Sequence, residues 1–450
     1  MENTGNPMVR ADKKVPKETS LPWVFTDRPV TAWGGLRLMK EMLMRMGLRE
    51  ELKRCGLPVA QSNRGYDPEE MIESFLVCIW AGGVRFAHTQ LVRFDKALCE
   101  IFGWKQVASV STFTRFFRRF KRERVDEVFG HIQGWFWNQI SPKTLTIDLD
   151  SSVITRYGEQ EGTAKGYNPQ KKGRRSHHPL FAFVADLRMV LHAWLRPGNT
   201  ASCNGANEFF KEAIRLLGDR HRISLVRADS GFFFGEFMTL LEAKVFHYII
   251  AVRMNSIVHA QMVGLSNWIS VDTGIAVSEM EYQAQGWDRK RRIIVVRQAL
   301  KERPDARGKL LFEIPGYRYQ SYVTDLDLAA VEIWRLYRGR ADAENRIEEL
   351  KYDFGITGFC LNSFYGTEAA FRTILLAYNL MSLFRQALLQ APKAHRLSTI
   401  RFQCFALGSW IGRKARKKVL RISLSGDRRP WFEGLFSKIQ AFHSPWLAQT

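Results

Sequence analysis

Apolar and polar residues follow three successive textures along the chain. From about residue 30 to 140 the apolar positions recur at helical spacing, as in Leu36, Leu38, Met39, Met42, Met46 and Leu48. Asp67-Pro68-Glu69-Glu70 precedes an apolar run and predicts a helix start. Around residue 144 the period shortens. Thr144 to Asp150 reads as a strand, and Leu180 to Leu195 as one or two more. Helix-like Glu208–Leu217, strand-like Ile223–Ala228, helix-like Phe237–Ala243 and strand-like Tyr248–Arg253 follow, an alternation that predicts a mixed α/β domain. Residues 254–325 read as β-rich, with strand candidates at Trp268–Val271, Ala276–Tyr282, Arg292–Val296 and Tyr317–Thr324. One long helical pattern then runs from Leu326 to about Phe354, and a second from Ala369 to Leu389.

The stretch Ser111 to Arg124 is the most strongly two-faced. Wound as one helix, Phe113, Phe116, Phe117 and Phe120 share an arc of roughly 100°, with Arg115, Arg118, Arg119 and Arg122 on the other side. A packed helix with a solvated basic face has this pattern, and so does a helix laid along DNA phosphates, with Ser111 or Thr112 near its start. Charge favours the second reading. Lys and Arg total 67 against 45 acidic residues, a formal net charge of +22, and a field of that sign attracts polyanions.

The six cysteines are scattered without a CxxC pair, which argues against a zinc or disulfide framework and suits a reducing cytosol. The first 20 residues read as a flexible polar arm without a signal peptide's apolar stretch, and no run approaches a membrane span. A cytoplasmic, nucleoid-associated protein is expected.

Asp148 and Asp150 lie two apart on a strand and face one side, and Asp150 ends it before Ser151-Ser152. Asp229 ends the Ile223–Ala228 strand before Ser230-Gly231. On the long helix, Tyr337, Arg340, Glu344 and Lys351 fall within an arc of roughly 60°. Glu348 shares that stripe and rivals Glu344, whereas Asp342 and Glu349 point elsewhere. A strand-end aspartate is commonly just a turn former, and Arg340 with Glu344 is an ordinary helical pair. Their joint order in a basic chain favours chemistry. Hydrolysis of a phosphodiester needs an activated water and stabilised charge, which two Mg²⁺ ions roughly 3.5–4 Å apart supply when carboxylates hold them. Arg340 and Lys351 would contact phosphates, one as a planar fork and the other as a point charge.

The spacing Tyr337, Arg340, Glu344, Lys351 resembles the YREK signature of bacterial insertion-sequence DDE transposases. Asp148-Leu-Asp-Ser-Ser152, Tyr157-Gly-Glu-Gln-Glu-Gly162, Gly166-Tyr-Asn-Pro169 and Arg227-Ala-Asp-Ser-Gly-Phe232 are similar to the insertion-sequence family numbered thirteen-eighty, over roughly residues 100 to 425. The resemblance implies a ribonuclease-H-like catalytic core and a catalytic, metal-binding set of Asp150, Asp229 and Glu344, with Asp148 the alternative first acid. Ser152 stands where related sequences often have Thr. The gap of 344 − 229 = 115 positions implies the β-rich insertion domain of this group. In related enzymes that insertion carries a Trp that stacks on a flipped base. Trp287 is the candidate and Trp268 the runner-up, although either could simply pack in the core.

The expected organisation is a flexible arm at 1–20, a helical DNA-binding region at 21–140, and the first part of the core at 141–253. A β-rich insertion at 254–325, the second part of the core at 326–390 and a basic C-terminal region at 391–450 follow, the last carrying Arg413-Lys-Ala-Arg-Lys-Lys418. The expected activity is a transposase that binds the terminal inverted repeats of its element, cleaves them and joins 3′ hydroxyls to target DNA. Two Mg²⁺ ions per site, replaceable by Mn²⁺, and a homodimer in the synaptic complex are implied. Tyr337, Arg340, Lys351, Trp287 and the four arginines Arg115, Arg118, Arg119 and Arg122 are the DNA-contact candidates. The rivals are a nuclease of the same fold and a DNA-binding regulator derived from a transposase.

Overall fold

A computed structural model describes residues 21, 25–60, 65–299, 316–391 and 395–446. The arm expected at 1–20 lies outside them. The N-terminal texture resolves into helices α1 (Arg37–Met46), α2 (Leu48–Arg54) and α3 (Pro68–Trp80), the last with Asp67 as its N-cap residue and Pro68 in the first turn.

The two-faced stretch is divided between two helices. Helix α4 (Val110–Arg118) is capped by Ser109, whose side-chain oxygen accepts a bond from the Thr112 amide, and Ser111 and Thr112 lie in its first turn. Arg122 does not belong to it but opens α5 (Arg122–Asn138). The partition of faces nevertheless holds. Phe113, Phe116, Phe117 and Phe120 are buried, and Arg115, Arg118, Arg119 and Arg122 are exposed. Phe75 of α3 meets Phe113, Phe117 and Phe359 ring to ring, so these helices share one hydrophobic core with the sheet.

The central sheet contains β1 (Thr144–Ser151), β5 (Leu180–Val184), β6 (Met189–Trp194), β7 (Arg222–Ala228) and β8 (His247–Ala251). A small separate sheet is formed by β2 (Ile154–Thr155), β3 (Ala164–Lys165) and β4 (Arg175–His177). The core order is β6-β5-β1-β7-β8, with β5 antiparallel to both neighbours and β1, β7 and β8 parallel. This is the ribonuclease-H-like arrangement. Helices α6 (Ala206–Leu217) and α7 (Gly235–Ala243) make the connections that parallel pairing requires.

The β-rich segment forms β9 (Ile269–Asp272), β10 (Ile275–Tyr282), β11 (Arg291–Ala299) and β12 (Tyr317–Thr324). These strands do not stand apart. β12 pairs with β8 through Tyr322–Thr324, so the insertion continues the core sheet into nine strands.

The long helical pattern expected from Leu326 to Phe354 is two helices, α8 (Ala330–Arg338) and α9 (Ala341–Tyr352), broken at Gly339-Arg340. The cause is local crowding. Arg227 donates from Nη1 to the Leu336 carbonyl at 2.6 Å, and a Cβ on Gly339 would lie 2.5 Å from that nitrogen. Helix α10 (Phe364–Phe384) is buried almost throughout and seals the outer strand of the sheet. Asn379 takes both the amide and the carbonyl of Val190, at 2.7 and 2.8 Å, satisfying edge groups that would otherwise lie unpaired in the core.

Candidate active site

β7 stops at Ala228, opposite Leu149 of β1, while β1 runs two residues further to Ser151 along β5. Leu149 is paired with Ala228, so the next residues, Asp150 and Asp229, emerge side by side from adjacent strands. Neighbouring strands lie about 4.8 Å apart, which brings the two carboxylates into electrostatic contact. Asp150 is buried at 7% exposure and Asp229 is half-buried. Asp229 Oδ1 accepts the Gly231 amide at 2.9 Å, and Asp150 Oδ1 accepts the Ser151 amide at 2.8 Å. These short turns fix both carboxylates to the backbone that follows their strands.

Helix α9 carries the third candidate acid, Glu344. Arg340, at its N-cap position, is buried and donates from Nη2 to the Leu149 carbonyl at 3.2 Å, with the same nitrogen 3.1 Å from Asp150 Oδ1. That anchor sets the start of α9 over the strand ends, with Glu344 exposed one turn further on. Burial pushes the Asp150 carboxyl up to about 6, and Asp229 and Glu344 reinforce the shift while Arg340 opposes it. Three acids in separate parts of the chain therefore act on one spot.

Tyr337 and Lys351 lie near the same strand ends. Tyr337 is half-buried, its hydroxyl donating to the Ala228 carbonyl at 3.3 Å and its ring packed on Tyr322. Burial lowers the pKa of the Lys351 ammonium, and the field of Asp150 works the other way. The helix break thus removes the single stripe expected from sequence, but the bend keeps Tyr337, Arg340, Glu344 and Lys351 around Asp150.

The two rival acids are engaged elsewhere. Asp148 is fully buried, and both its oxygens are taken by Arg227, at 2.6 Å from Nε and 3.0 Å from Nη2. Glu348 points to the C-terminal region and pairs with Arg396 at 2.7 Å. Trp287 is half-buried at the turn between β10 and β11, in ring contact with Phe233 and Tyr282 and beside Arg291. It thereby rests on the segment that follows Asp229. Trp268 is also half-buried, with the Arg297 guanidinium 4.1 Å from its ring centre.

Sequence reasoning missed the polar chain behind Asp150. His178 Nδ1 bonds the Thr200 carbonyl at 2.6 Å, which leaves Nε2 to accept from the Ser151 hydroxyl at 3.2 Å. Ser151 also meets the Ser202 hydroxyl at 2.9 Å. Ser151 was visible beside the acid, but nothing in the sequence ties His178 or Ser202 to it. Arg227 was likewise missed, although it stands two residues before Asp229.

The donor set suits a hard divalent cation, since it offers carboxylate oxygens. The Asp150 carboxyl is raised chiefly by burial, with smaller contributions from Asp229 and Glu344, and Arg340 is the cation paired with it. Among the described residues, no three acidic, histidine or cysteine side chains stand close enough around one point to enclose an ion.

The family model for the transposase DDE domain, group 1, matches residues 14–444. No curated protein matches the sequence. Among solved structures, a piggyBac transposase synaptic complex with hairpin DNA is similar at 12% identity and a TM-score of 0.47, covering 84% of this chain and 81% of that one. Among the described residues no helix is long and apolar enough to cross a membrane.

Proposed function

The chain belongs to the transposase DDE domain group 1 family, and on that premise we propose that Asp150, Asp229 and Glu344 are its catalytic triad of acids. In this reading the protein binds the inverted-repeat ends of its element, cleaves them, and joins the freed 3′ hydroxyls to target DNA. The observation that best supports the assignment is the side-by-side emergence of Asp150 and Asp229 from paired strands, with Arg340 holding the start of α9, and so Glu344, over them.

Asp150 and Asp229, held by their turns, would be the fixed ligands, and exposed Glu344 would complete the set by drawing in toward a bound ion, since among the described residues no three such side chains enclose one point. A bound pair of divalent ions, Mg²⁺ or Mn²⁺, would supply an activated water and stabilise charge on the phosphate under attack. Arg340 and Lys351 line the same spot and would hold non-bridging phosphate oxygens, while Tyr337 braces the bend that presents them. Trp287 would face the DNA from the β10–β11 turn, and the exposed arginines of α4 and the start of α5 would run along the duplex. The arrangement of Tyr337, Arg340, Glu344 and Lys351 supports placement among insertion-sequence enzymes with the YREK signature. Simultaneous handling of two ends calls for a homodimer at work.

Strand transfer distinguishes this reading from a nuclease or a regulator. Labelled end DNA incubated with the protein, Mg²⁺ and a plasmid should become covalently joined to the plasmid. Nicking without joining would favour the nuclease, and binding without nicking the regulator.

A pH dependence follows from Asp150. Its carboxyl stands raised from 3.8 to about 6, so the folded protein holds this proton more tightly than the unfolded chain. The group's contribution to stability therefore falls as pH rises between those values, and the full cost of the buried charge is present above about 6. A cation binds only the ionised form. Calorimetric titration with Mn²⁺ should give a flat affinity above about pH 6 and a loss of roughly tenfold per unit below it. An affinity independent of pH down to the ordinary carboxylate range would contradict coordination by Asp150.

A further inference from the structure

Between Asp150 and the second core strand the chain makes a lobe that the proposed catalysis does not use. It is the small sheet β2-β4-β3 with its connecting turns. The lobe is firmly built. Asn168, itself buried, donates to the Thr155 hydroxyl at 3.0 Å and accepts the Lys171 amide at 3.0 Å, tying together the two segments that carry Tyr157 and Tyr167. A Cβ on Gly166 would fall 2.1 Å from the Gly198 carbonyl oxygen, so only glycine fits there.

The lobe is also docked beside the acids. At one side Ser152 bonds the Pro179 carbonyl and Ser151 meets His178. At the other, buried Arg156 donates to the Thr357 carbonyl at 2.6 Å, and the Thr357 hydroxyl reaches the carbonyl of Lys351. The outer surface is therefore fixed relative to the strand end that bears Asp150 and to the end of α9.

That surface carries an unusual pair of features. Tyr157 and Tyr167 are 70% and 74% exposed, although aromatic rings usually find cover. Around them stand five exposed cations, Lys165, Lys171, Lys172, Arg174 and Arg175, against two exposed acids of the lobe, Glu159 and Glu161, of which Glu161 accepts the Phe364 amide. The Lys171 ammonium lies 4.9 Å from the centre of the Tyr157 ring and hydrogen-bonds its hydroxyl, and the Arg174 guanidinium lies 6.0 Å away. Cations alone suit any stretch of phosphates. Exposed rings among them suit bases, and a duplex hides its base faces in the stack. Only unpaired or terminal bases can use such rings.

We propose that this lobe is a platform for unpaired nucleotides next to the scissile phosphate, with Tyr157 and Tyr167 stacking on bases and the surrounding cations holding the backbone. The proposal rests on the transposase reading for its place in the reaction, but its binding chemistry can be tested alone. The full-length protein is titrated, in EDTA so that nothing is cut, with a mixed-sequence oligonucleotide containing 2-aminopurine. The oligonucleotide is offered either single-stranded or paired with its complement. Tyr157→Ala with Tyr167→Ala should weaken single-strand binding by roughly tenfold or more and abolish the 2-aminopurine quenching. Duplex binding should change by less than about twofold. Lys171→Gln with Lys172→Gln should reduce the salt slope on the single strand by about 1.4. Equal losses on both DNA forms, or undiminished quenching in the tyrosine variant, would overturn the platform. Cleavage of end DNA by the wild type in Mg²⁺ is measured alongside. If the wild type cuts while the tyrosine variant binds single strands normally, the platform alone fails. If the wild type neither binds nor cuts DNA, the transposase reading falls and takes the platform with it.

Discussion

Glu344→Gln is expected to lower DNA cleavage by about three decades or more while end binding changes by less than about twofold. The substitution keeps the shape of an exposed side chain on α9 and removes only its charge, so folding has little reason to change. What is lost is one anionic ligand. Electrophilic stabilisation of a phosphoryl transition state by metal is worth several kcal/mol, and each 1.36 kcal/mol is about tenfold in rate. Asp150→Asn and Asp229→Asn should fall in the same range. Glu348→Gln is the matched control, since its partner is surface Arg396 and exposed ion pairs contribute about 0–1 kcal/mol. Single-turnover cleavage of a labelled end, with a gel-shift on the same protein, separates the two effects. Full activity in Glu344→Gln together with a dead Glu348→Gln would transfer the role to Glu348.

The second large effect concerns stability. Asp148→Ala should destabilise the fold by about 3–5 kcal/mol, because it leaves the Arg227 guanidinium buried and unpaired. Asp148 is fully buried and Arg227 is 7% exposed, so water cannot replace the missing oxygens. Arg227 also holds the Leu336 carbonyl beside the break between α8 and α9. Loss of its partner should therefore loosen the bend that sets Tyr337 and Arg340. Urea titration should show a markedly lower midpoint, and Asp148→Asn, which still offers one acceptor, should be milder. An unchanged midpoint for Asp148→Ala would mean that the pair is not buried as described, and would restore Asp148 as a rival first acid.

Much of this arrangement was legible in the chain. The end of β7 before Asp229 could be read because an apolar strand there gives way to a Ser-Gly turn, and turn chemistry is local, whereas β1 runs one residue past Asp150 to Ser151. The phenylalanine and arginine faces around residue 115 could be read because burial follows helical period, and the faces survived even though the helix ends at Arg118. What escaped was set by distant contacts. The pattern from Leu326 to Phe354 carries no proline, and its one strong breaker, Gly339, is tolerated in many helices. The break is made by Arg227, more than a hundred positions away. The choice between Asp148 and Asp150 was open for the same reason. Both face one side of one strand, and only the partner residues Arg227 and Arg340 differ. The joining of the insertion to the core sheet depends on three paired positions of β12 and β8, which no alternation of residues encodes. The basic tail segment Arg413–Lys418 proved to lie in a hairpin, with Arg413 opposite Lys418 and Lys414 opposite Lys417.

Everything proposed for the reaction depends on Asp150, Asp229 and Glu344 sharing divalent ions at the ends of β1 and β7. A crystal soaked in Mn²⁺ and measured at the manganese absorption edge addresses this directly. Anomalous peaks bounded by oxygens of all three side chains, within about 2.0–2.3 Å of each ion, are the expected result. Manganese bound elsewhere on the protein, with these three carboxylates ligating none of it, would contradict the account.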